Sequence, residues 1–320
     1  MGYQFQSIGS IGPILVVQLA IDFEILVSLI GVYKLPCFFL AIPSGFLSNK
    51  FGEKSMLIIG MSLMAAGGFV TALSDDYSTV YWGRAVSGVG GVLFNVLSAK
   101  MIADWFADKE LTLAMAIHVN SWPFGIAIGL LTQAALADVL SIQAMLLLTA
   151  AFCAVGVVLL LIGTQDRARI AAQNPKTFIV WNLSFREFLL VSLAALIWLL
   201  FNANLILVVS FAPAYLNAIG LDVASAGQLT SVGTWLGVIT IPIGGYIAQR
   251  WISSDAFMTS MFIVGCLATF AILWLNAPLL AFIAFGVFAW APAGAIVALP
   301  VTFLIQSNRA IGMGLFFSYY

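Results

Sequence analysis

Long apolar runs, separated by short polar or glycine-rich breaks, follow one another along the whole chain. A helix needs about 20 apolar residues to cross the roughly 30 Å hydrocarbon core of a bilayer, and these runs reach that length. Six predicted spans lie at residues 1–20, 24–47, 55–73, 79–102, 111–135 and 141–163. The others lie at residues 187–217, 224–249, 256–275, 278–305 and from 310 onward. The pattern predicts an all-α membrane protein.

Composition agrees with the pattern. Of the 320 residues, 62% are hydrophobic and 8% are charged, and the mean hydropathy is +1.10. A water-soluble fold could not hide so much apolar surface, so the lipid bilayer is the expected surrounding and nucleic acid is not an expected partner. Because the runs are uninterrupted, helices are favoured over a barrel. Cys37, Cys153 and Cys266 lie inside apolar runs without a CxxC pair, so no metal site and no cofactor are expected.

Two halves are indicated by the longest polar break, "GTQDRARIAAQNPKTF". "GFLSNKF" at Gly45 has an echo in "GYIAQRW" at Gly245, and "AMAI" at 114–117 has one in "GMGL" at 312–315. The nearly equal spacing of both echoes predicts two pseudo-symmetric six-helix bundles. The predicted division is a first bundle at residues 1–163, a cytoplasmic linker at 164–186 and a second bundle at 187–320.

Basic residues predict the orientation. Ten of the twelve Lys and Arg residues fall at alternate breaks, and the other set of breaks carries acidic residues only. Lys and Arg near the ends of membrane helices favour the cytoplasmic side. The sequence therefore predicts a multi-pass protein of the cytoplasmic membrane whose cytoplasmic loops are residues 48–54, 103–110, 164–186, 250–255 and 306–309.

The segment "GFLSNKFGEKS", residues 45–55, interrupts the apolar pattern with glycines and lysines. It resembles the signature loop of the major facilitator superfamily, in which one glycine closes the second helix and another precedes the third. Asn49 stands where the family usually has Asp, and Glu53 stands where it usually has Arg. The resemblance implies a conformational loop formed by Gly45, Asn49, Lys50, Gly52 and Lys54.

This loop is expected to latch the two halves in one conformation. Asn49 lacks the attraction of a carboxylate for a helix N-terminus, so the latch is expected to be weak. Lys50 and Lys54 are expected to anchor at the cytoplasmic interface and to contact the opposing half. A plain hairpin with basic residues on the cytoplasmic side is the alternative interpretation.

A second match is "GRAVSGVGG", residues 83–91, which resembles the fourth-helix pattern of the family, with Arg84 and Gly88 in place. "YQFQS" and "NSWPFG" resemble the cyanate-permease-like branch and related anion porters. The family fold implies that the first, fourth, seventh and tenth spans line a central cavity. It also implies that about eleven of twelve helices are present, with the first and last incomplete.

Ionisable side chains inside predicted spans are candidates for the transport site, because charge in hydrocarbon is costly. At 1.5 Å per residue, Arg84 lies roughly 10 Å and Lys34 roughly 15 Å deep. No Asp or Glu falls at comparable depth, so a bound anion is expected to supply the missing charge. Alternatively, Arg84 snorkels or bonds backbone carbonyls, and Lys34 packs between the halves. His118, the single histidine, could couple transport to protons or be a satisfied packing residue.

Polar residues at similar depth form a second group of candidate substrate ligands, since amides orient polar ligands and indole rings wall pockets. These residues are Gln4, Gln6, Asn120, Trp122 and Asn202. Hydrogen bonding and packing between helices is the alternative for each of them.

The pattern as a whole predicts a monomeric secondary transporter that moves a small anionic or polar solute by alternating access, with a proton or counter-ion as coupling partner. A drug or metabolite efflux carrier is the alternative, and a receptor or channel is a further one. An enzyme is not expected, because the sequence has no paired intramembrane carboxylates, no HExxH and no Ser/His arrangement.

Overall fold

The computed structural model describes residues 1–106, 111–163, 183–250, 254–274, 277–304 and 309–319, and its regular elements there are all α-helices. Each predicted span contains at least one of them, so the all-α prediction is confirmed. In chain order the helices are α1 (Gly2–Ser10), α2 (Gly12–Gln18), α3 (Phe23–Gly31), α4 (Leu35–Phe51), α5 (Glu53–Ala72), α6 (Tyr77–Phe106), α7 (Leu111–Val139), α8 (Ile142–Gly163), α9 (Phe185–Ala218), α10 (Val223–Arg250), α11 (Ser254–Trp274), α12 (Pro278–Phe288), α13 (Ala293–Phe303) and α14 (Arg309–Ser318).

Eight segments of the described chain are long and apolar enough to cross a membrane. They coincide with the second, third and fifth to tenth predicted spans. In the first span α1 and α2 are short, and in the fourth α6 is long but carries many polar residues. The molecule is therefore a multi-pass membrane protein.

Three predicted spans each contain two helices instead of one continuous helix. The first is interrupted at Ile11, the second between α3 and α4, and the tenth between α12 and α13. Pro13 and Pro36 lie in the first turn of the helix that follows the break, and Pro292 directly precedes α13. Proline lacks an N–H and is tolerated in the first turn, where that donor has no partner within the helix.

The predicted loop at residues 48–54 is also shorter than expected. Helix α4 continues to Phe51 and α5 begins at Glu53, so Gly52 alone separates them. Gly52 has φ 87, a conformation that a residue with a Cβ adopts at a cost. Of the other predicted loops, residues 107–110, 164–182, 251–253 and 305–308 lie outside the described residues.

The helices form two compact units. Unit 1 comprises Met1–Leu26, Ala116–Ser141 and Leu196–Thr302, and unit 2 comprises Val27–Met115, Ile142–Ala195 and Phe303–Tyr320. The bounds of these two units do not coincide with the predicted linker at residues 164–186. The predicted division into bundles at residues 163 and 187 therefore stays a prediction.

Each unit has its own apolar core. In unit 2, α5 packs against α6 and α8, and Leu57 and Leu97 are fully buried between them. In unit 1, α10 packs against α12, with Phe282 and Phe285 fully buried. These cores hold in place the polar side chains described next.

Candidate functional site

The candidate ligand side chains are divided between the two units. Lys34 and Arg84 belong to unit 2. The remaining candidates belong to unit 1 and lie on α1, α7 and α9: Gln4, Gln6, His118, Asn120, Trp122 and Asn202.

Arg84 is almost completely buried, with 2% of its side chain exposed. Its Nε donates a hydrogen bond to the carbonyl oxygen of Leu29 at 3.1 Å. The guanidinium carbon lies 4.6 Å from the centroid of the buried Tyr33 ring, within cation–π range. The hydrogen bond to Leu29 is of the kind expected if Arg84 bonds backbone carbonyls, and binding of a solute by Arg84 stays a prediction.

The break between α3 and α4 brings Tyr33 to Arg84. Tyr33 lies in that break, and its backbone approaches Gly88, one turn beyond Arg84 on α6. A Cβ on Gly88 would overlap the carbonyl oxygen of Tyr33. Tyr33 was not among the candidates from the sequence. The four-residue spacing of Arg84 and Gly88 places both on one face of α6, but it does not reveal which residue packs against that face.

Lys34 follows Tyr33 in the same break, and its side chain is half-buried. Its backbone N–H donates to the Gly31 carbonyl at 2.9 Å, which closes a tight turn between the helices. The turn holds Lys34 next to the residue that stacks on Arg84.

Gln6 and Gln133 form the most buried pair of amides in unit 1, with 1% and 0% of their side chains exposed. The Nε2 of Gln6, on α1, donates to the Val209 carbonyl of α9 at 2.7 Å. The Nε2 of Gln133, on α7, donates to the Tyr3 carbonyl at 2.6 Å. Gln133 was missed in sequence analysis, where the only signal was a lone amide inside the fifth span.

The oxygen atoms of these two amides have no hydrogen-bond partner. Carbonyl groups only accept hydrogen bonds, so the nitrogen of each amide must face its backbone partner and the oxygen must face away. A Cβ built on Gly129 would lie 3.1 Å from Gln6 Cβ and 3.3 Å from Gln133 Oε1. The two glutamines are therefore neighbours across Gly129, with both acceptors available.

The other amide and aromatic candidates of unit 1 have contacts of their own. Gln4 is buried on the same helix as Gln6, and the Trp122 ring lies 5.2 Å from that of Phe5. Asn120 Nδ2 donates to the Val238 carbonyl of α10 at 3.3 Å. Asn202 is buried, and its Nδ2 donates to the carbonyl of Trp198 in its own helix at 2.8 Å.

His118 lies on α7, four turns from Gln133, and its side chain is half-buried. Its carbonyl accepts a hydrogen bond from the Ser121 hydroxyl. His118 and Gln133 therefore lie on the same helix but do not form one cluster.

Among the loop candidates, the side chain of Lys54 is described. Its Nζ donates to the Leu161 carbonyl at the end of α8 at 3.1 Å, within unit 2. Gly45, Asn49 and Lys50 lie in α4, and their side-chain surroundings fall outside the described part of the chain.

Two exposed aspartates begin helices outside the spans. Asp76 precedes α6, and hydrogen bonds from the side chain and backbone of Thr79 lower the pKa of its carboxyl. Asp222 precedes α10, and Ser225 lowers the pKa of Asp222 in the same way. Both carboxylates act as N-caps of long helices.

Within the described residues, no group of three or more His, Cys, Asp or Glu side chains could hold a metal ion. The three cysteines, all within the described residues, form no disulfide: Cys37 is half-buried, Cys153 is buried and Cys266 is exposed.

Comparison with known proteins gives one family. The family model described as Major Facilitator Superfamily matches residues 1–320. The inner membrane transport protein YajR of Escherichia coli is 29% identical over 130 residues, which are 41% of this chain and 28% of YajR. An uncharacterized MFS-type transporter of Mycobacterium tuberculosis is 25% identical over 226 residues, which are 65% of this chain and 45% of that protein. The matches thus span less than half the length of these curated relatives.

Solved structures show the same fold. The nucleoside transporter NupG superposes with a TM-score of 0.75 at 16% identity, covering 99% of this chain and 85% of NupG. A D-xylose-proton symporter superposes with a TM-score of 0.72 at 16% identity, covering 99% of this chain and 84% of the symporter.

Proposed function

We propose that this chain, which belongs to the Major Facilitator Superfamily, moves a small polar or anionic solute across the cytoplasmic membrane by alternating access. The observation that carries the proposal is the pair of buried amides on α1 and α7, whose oxygen atoms have no partner. Polar groups inside membrane helices are costly and mark ligand pathways. A solute that donates hydrogen bonds would satisfy both acceptors.

The two halves, residues 1–163 and 187–320, are proposed to rock about the linker, with the basic loops on the cytoplasmic side. The internal echoes at Gly45 and Gly245 support this arrangement. A weak latch follows from Asn49, because an amide is attracted to a helix N-terminus less than a carboxylate is.

Each candidate residue has a proposed role. Gln6 and Gln133 bind the polar part of the solute, with Gln4, Asn120, Asn202 and Trp122 in support. For an anionic solute, Arg84 and Lys34 are proposed to provide the positive charge that attracts it. The lack of any Asp or Glu at similar depth in the sequence supports this role. His118 is the proposed proton carrier if coupling uses protons.

Counterflow in proteoliposomes tests transport. Vesicles that contain the purified protein are loaded with an unlabelled solute and diluted into its labelled form, with a panel of small anions, hydroxylated neutral solutes and zwitterions. Saturable exchange of one class supports a carrier. Flux that rises linearly with concentration, or no exchange of any class, would contradict it.

Two variants locate the site. Gln6→Leu is expected to abolish saturable exchange, because it removes an acceptor that faces the solute. Gln143→Leu is the matched control, since Gln143 is exposed at the start of α8. Equal exchange by both variants would remove Gln6 from the site.

A further inference from the structure

Prolines inside α9 and α10 each deprive one backbone carbonyl of its helical donor. Pro213 lies inside α9 and Pro242 lies inside α10, and both helices continue on either side of the proline. Proline has no N–H, so the carbonyl oxygen four residues earlier does not receive the usual intrahelical hydrogen bond. These carbonyls belong to Val209 and Val238. Both lie in segments long and apolar enough to cross a membrane.

Each of these two carbonyls receives a hydrogen bond from an amide side chain of another helix. The Nε2 of Gln6, on α1, donates to the Val209 oxygen at 2.7 Å. The Nδ2 of Asn120, on α7, donates to the Val238 oxygen at 3.3 Å. An unsatisfied carbonyl inside a membrane costs several kcal/mol, and neighbouring helices are one source of a replacement donor. Each amide therefore replaces the donor that a proline removes.

Both hydrogen bonds join segments that are far apart in the sequence. Gln6 and Asn120 belong to residues 1–163, the first of the two halves in the proposed function. The carbonyls that they bind belong to residues 187–320, the second half. The first half thus supplies both donors, and the second half supplies both acceptors.

The helices that carry these bonds approach each other closely. Between α1 and α9, a Cβ built on Gly9 would lie 3.0 Å from the Ser210 carbonyl oxygen and 3.1 Å from Ser210 Cα. Between α7 and α10, a Cβ built on Gly227 would lie 2.6 Å from the Leu130 carbonyl oxygen. Glycine at these two positions permits backbone contact, so the amides act across tightly packed helix pairs.

A carbonyl that has lost its helical donor can exchange one partner for another without breaking its helix. When the two helices separate, water that enters the gap can donate to the same oxygen in place of the amide. A carbonyl that is bonded within its helix offers no such exchange, because its donor moves with it. The hydrogen bonds at Val209 and Val238 are therefore suited to form in one conformation and to open in another.

We propose that the hydrogen bond of Gln6 with Val209 and that of Asn120 with Val238 form an amide clamp, which holds α1 to α9 and α7 to α10 and opens when these helices separate. The role of the amide clamp in alternating access rests on the proposed function. Its opening can be measured without a substrate.

The rate at which a cysteine at position 210 is labelled measures this opening. Ser210 is 3% exposed and lies against Gly9, so a water-soluble maleimide reaches Ser210→Cys only when α1 and α9 separate. The purified protein in detergent serves for the measurement, after alanine has replaced the native cysteines Cys37, Cys153 and Cys266.

Removal of one amide is expected to speed the labelling. Gln6→Leu should raise the rate about fivefold, since one hydrogen bond contributes roughly 1 kcal/mol net. Gln143→Leu, at an exposed position at the start of α8, should leave the rate unchanged. A Gln6→Leu protein that is labelled at the rate of the parent would overturn the clamp at Val209.

A double-mutant cycle tests the role of the proline. Pro213→Ala restores an N–H that can donate to the Val209 carbonyl within α9, so Gln6→Leu should then raise the labelling rate by less than about twofold. Pro43→Ala is the matched control, because Pro43 lies inside α4 in unit 2. In that background the full increase should remain. Equal increases in the two backgrounds would overturn the link between the proline and the amide.

The second bond provides an independent cycle. Asn120→Leu and Pro242→Ala are expected to behave as Gln6→Leu and Pro213→Ala do, and this cycle serves if Gln6→Leu fails to elute as a single species. Parental labelling rates in the leucine variants that fold would overturn the amide clamp as a whole.

Counterflow by the wild-type protein separates this proposal from the proposed function. Faster labelling of the leucine variants, together with no exchange of any solute by the wild type, would support the amide clamp and contradict the transporter. Saturable exchange by the wild type, together with parental labelling rates in both leucine variants, would support the transporter and overturn the amide clamp.

Discussion

The buried arginine of unit 2 and the two most buried amides of unit 1 differ in how far the fold satisfies them. In unit 2, the charged guanidinium of Arg84 has a carbonyl partner and an aromatic ring. In unit 1, the neutral amides of Gln6 and Gln133 use their nitrogens and leave their oxygens unpartnered. Under the proposed function, the neutral amides are the groups with free acceptors for a solute, whereas the charged Arg84 already has partners within the protein. A polar atom that the fold leaves unsatisfied is the better sign of a ligand.

The largest effect is expected from Arg84→Met. Loss of the charge-assisted hydrogen bond to Leu29 and of the contact with Tyr33 should cost about 2–3 kcal/mol of stability, measured by denaturant unfolding in detergent. Arg84→Lys keeps the charge without the planar face, so it should recover only part of the loss. An Arg84→Met protein that is as stable as the wild type but has lost anion uptake would contradict the contrast between Arg84 and the amides. Arg84 would then be a ligand residue.

Gly88→Ala should cost about 2 kcal/mol, because the new methyl group would overlap the Tyr33 carbonyl. The control is Gly245→Ala, since a Cβ at Gly245 meets no atom within 4 Å. In the helix interior that control should be neutral or slightly stabilising. Equal unfolding free energies for the two variants would show that α6 and the break between α3 and α4 are not tightly packed.

Gln133→Leu should change stability by only about 1 kcal/mol, because it removes one hydrogen bond and one unsatisfied oxygen together. Denaturant unfolding in detergent measures this difference. A loss as large as that of Arg84→Met would mean that the amide is a structural group like the arginine, and the contrast between the units would disappear.

The smallest effect is a pH dependence shared by both units. Asp76 and Asp222 have lowered pKa values, so their stabilising effect is present above the ordinary Asp pKa of about 3.9 and is lost as pH falls through the folded-state value. Asp76→Asn should flatten the acid side of the unfolding profile slightly. An unchanged profile would indicate that the Asp76 carboxylate does not stabilise α6.

Several structural features could be predicted from the sequence, and there are physical reasons why others could not. The burial of Arg84 follows from its depth in an apolar run, but Tyr33 and Leu29 lie more than fifty residues away, and periodicity does not reveal them. The breaks in three spans were missed because prolines also occur inside continuous helices here, such as Pro123 in α7. Gln133 was overlooked because a lone amide in an apolar run gives no sign of its surroundings.

The sequence by itself determined that the chain is helical and lies in a membrane. In hydrocarbon each backbone group must find a partner, which a helix supplies within four residues, so apolar length alone reveals the spans. Only the tertiary structure decided which polar side chains are satisfied. The partner of Gln6 is 203 residues away in the chain, and no local pattern records whether a distant helix offers it one hydrogen bond or two.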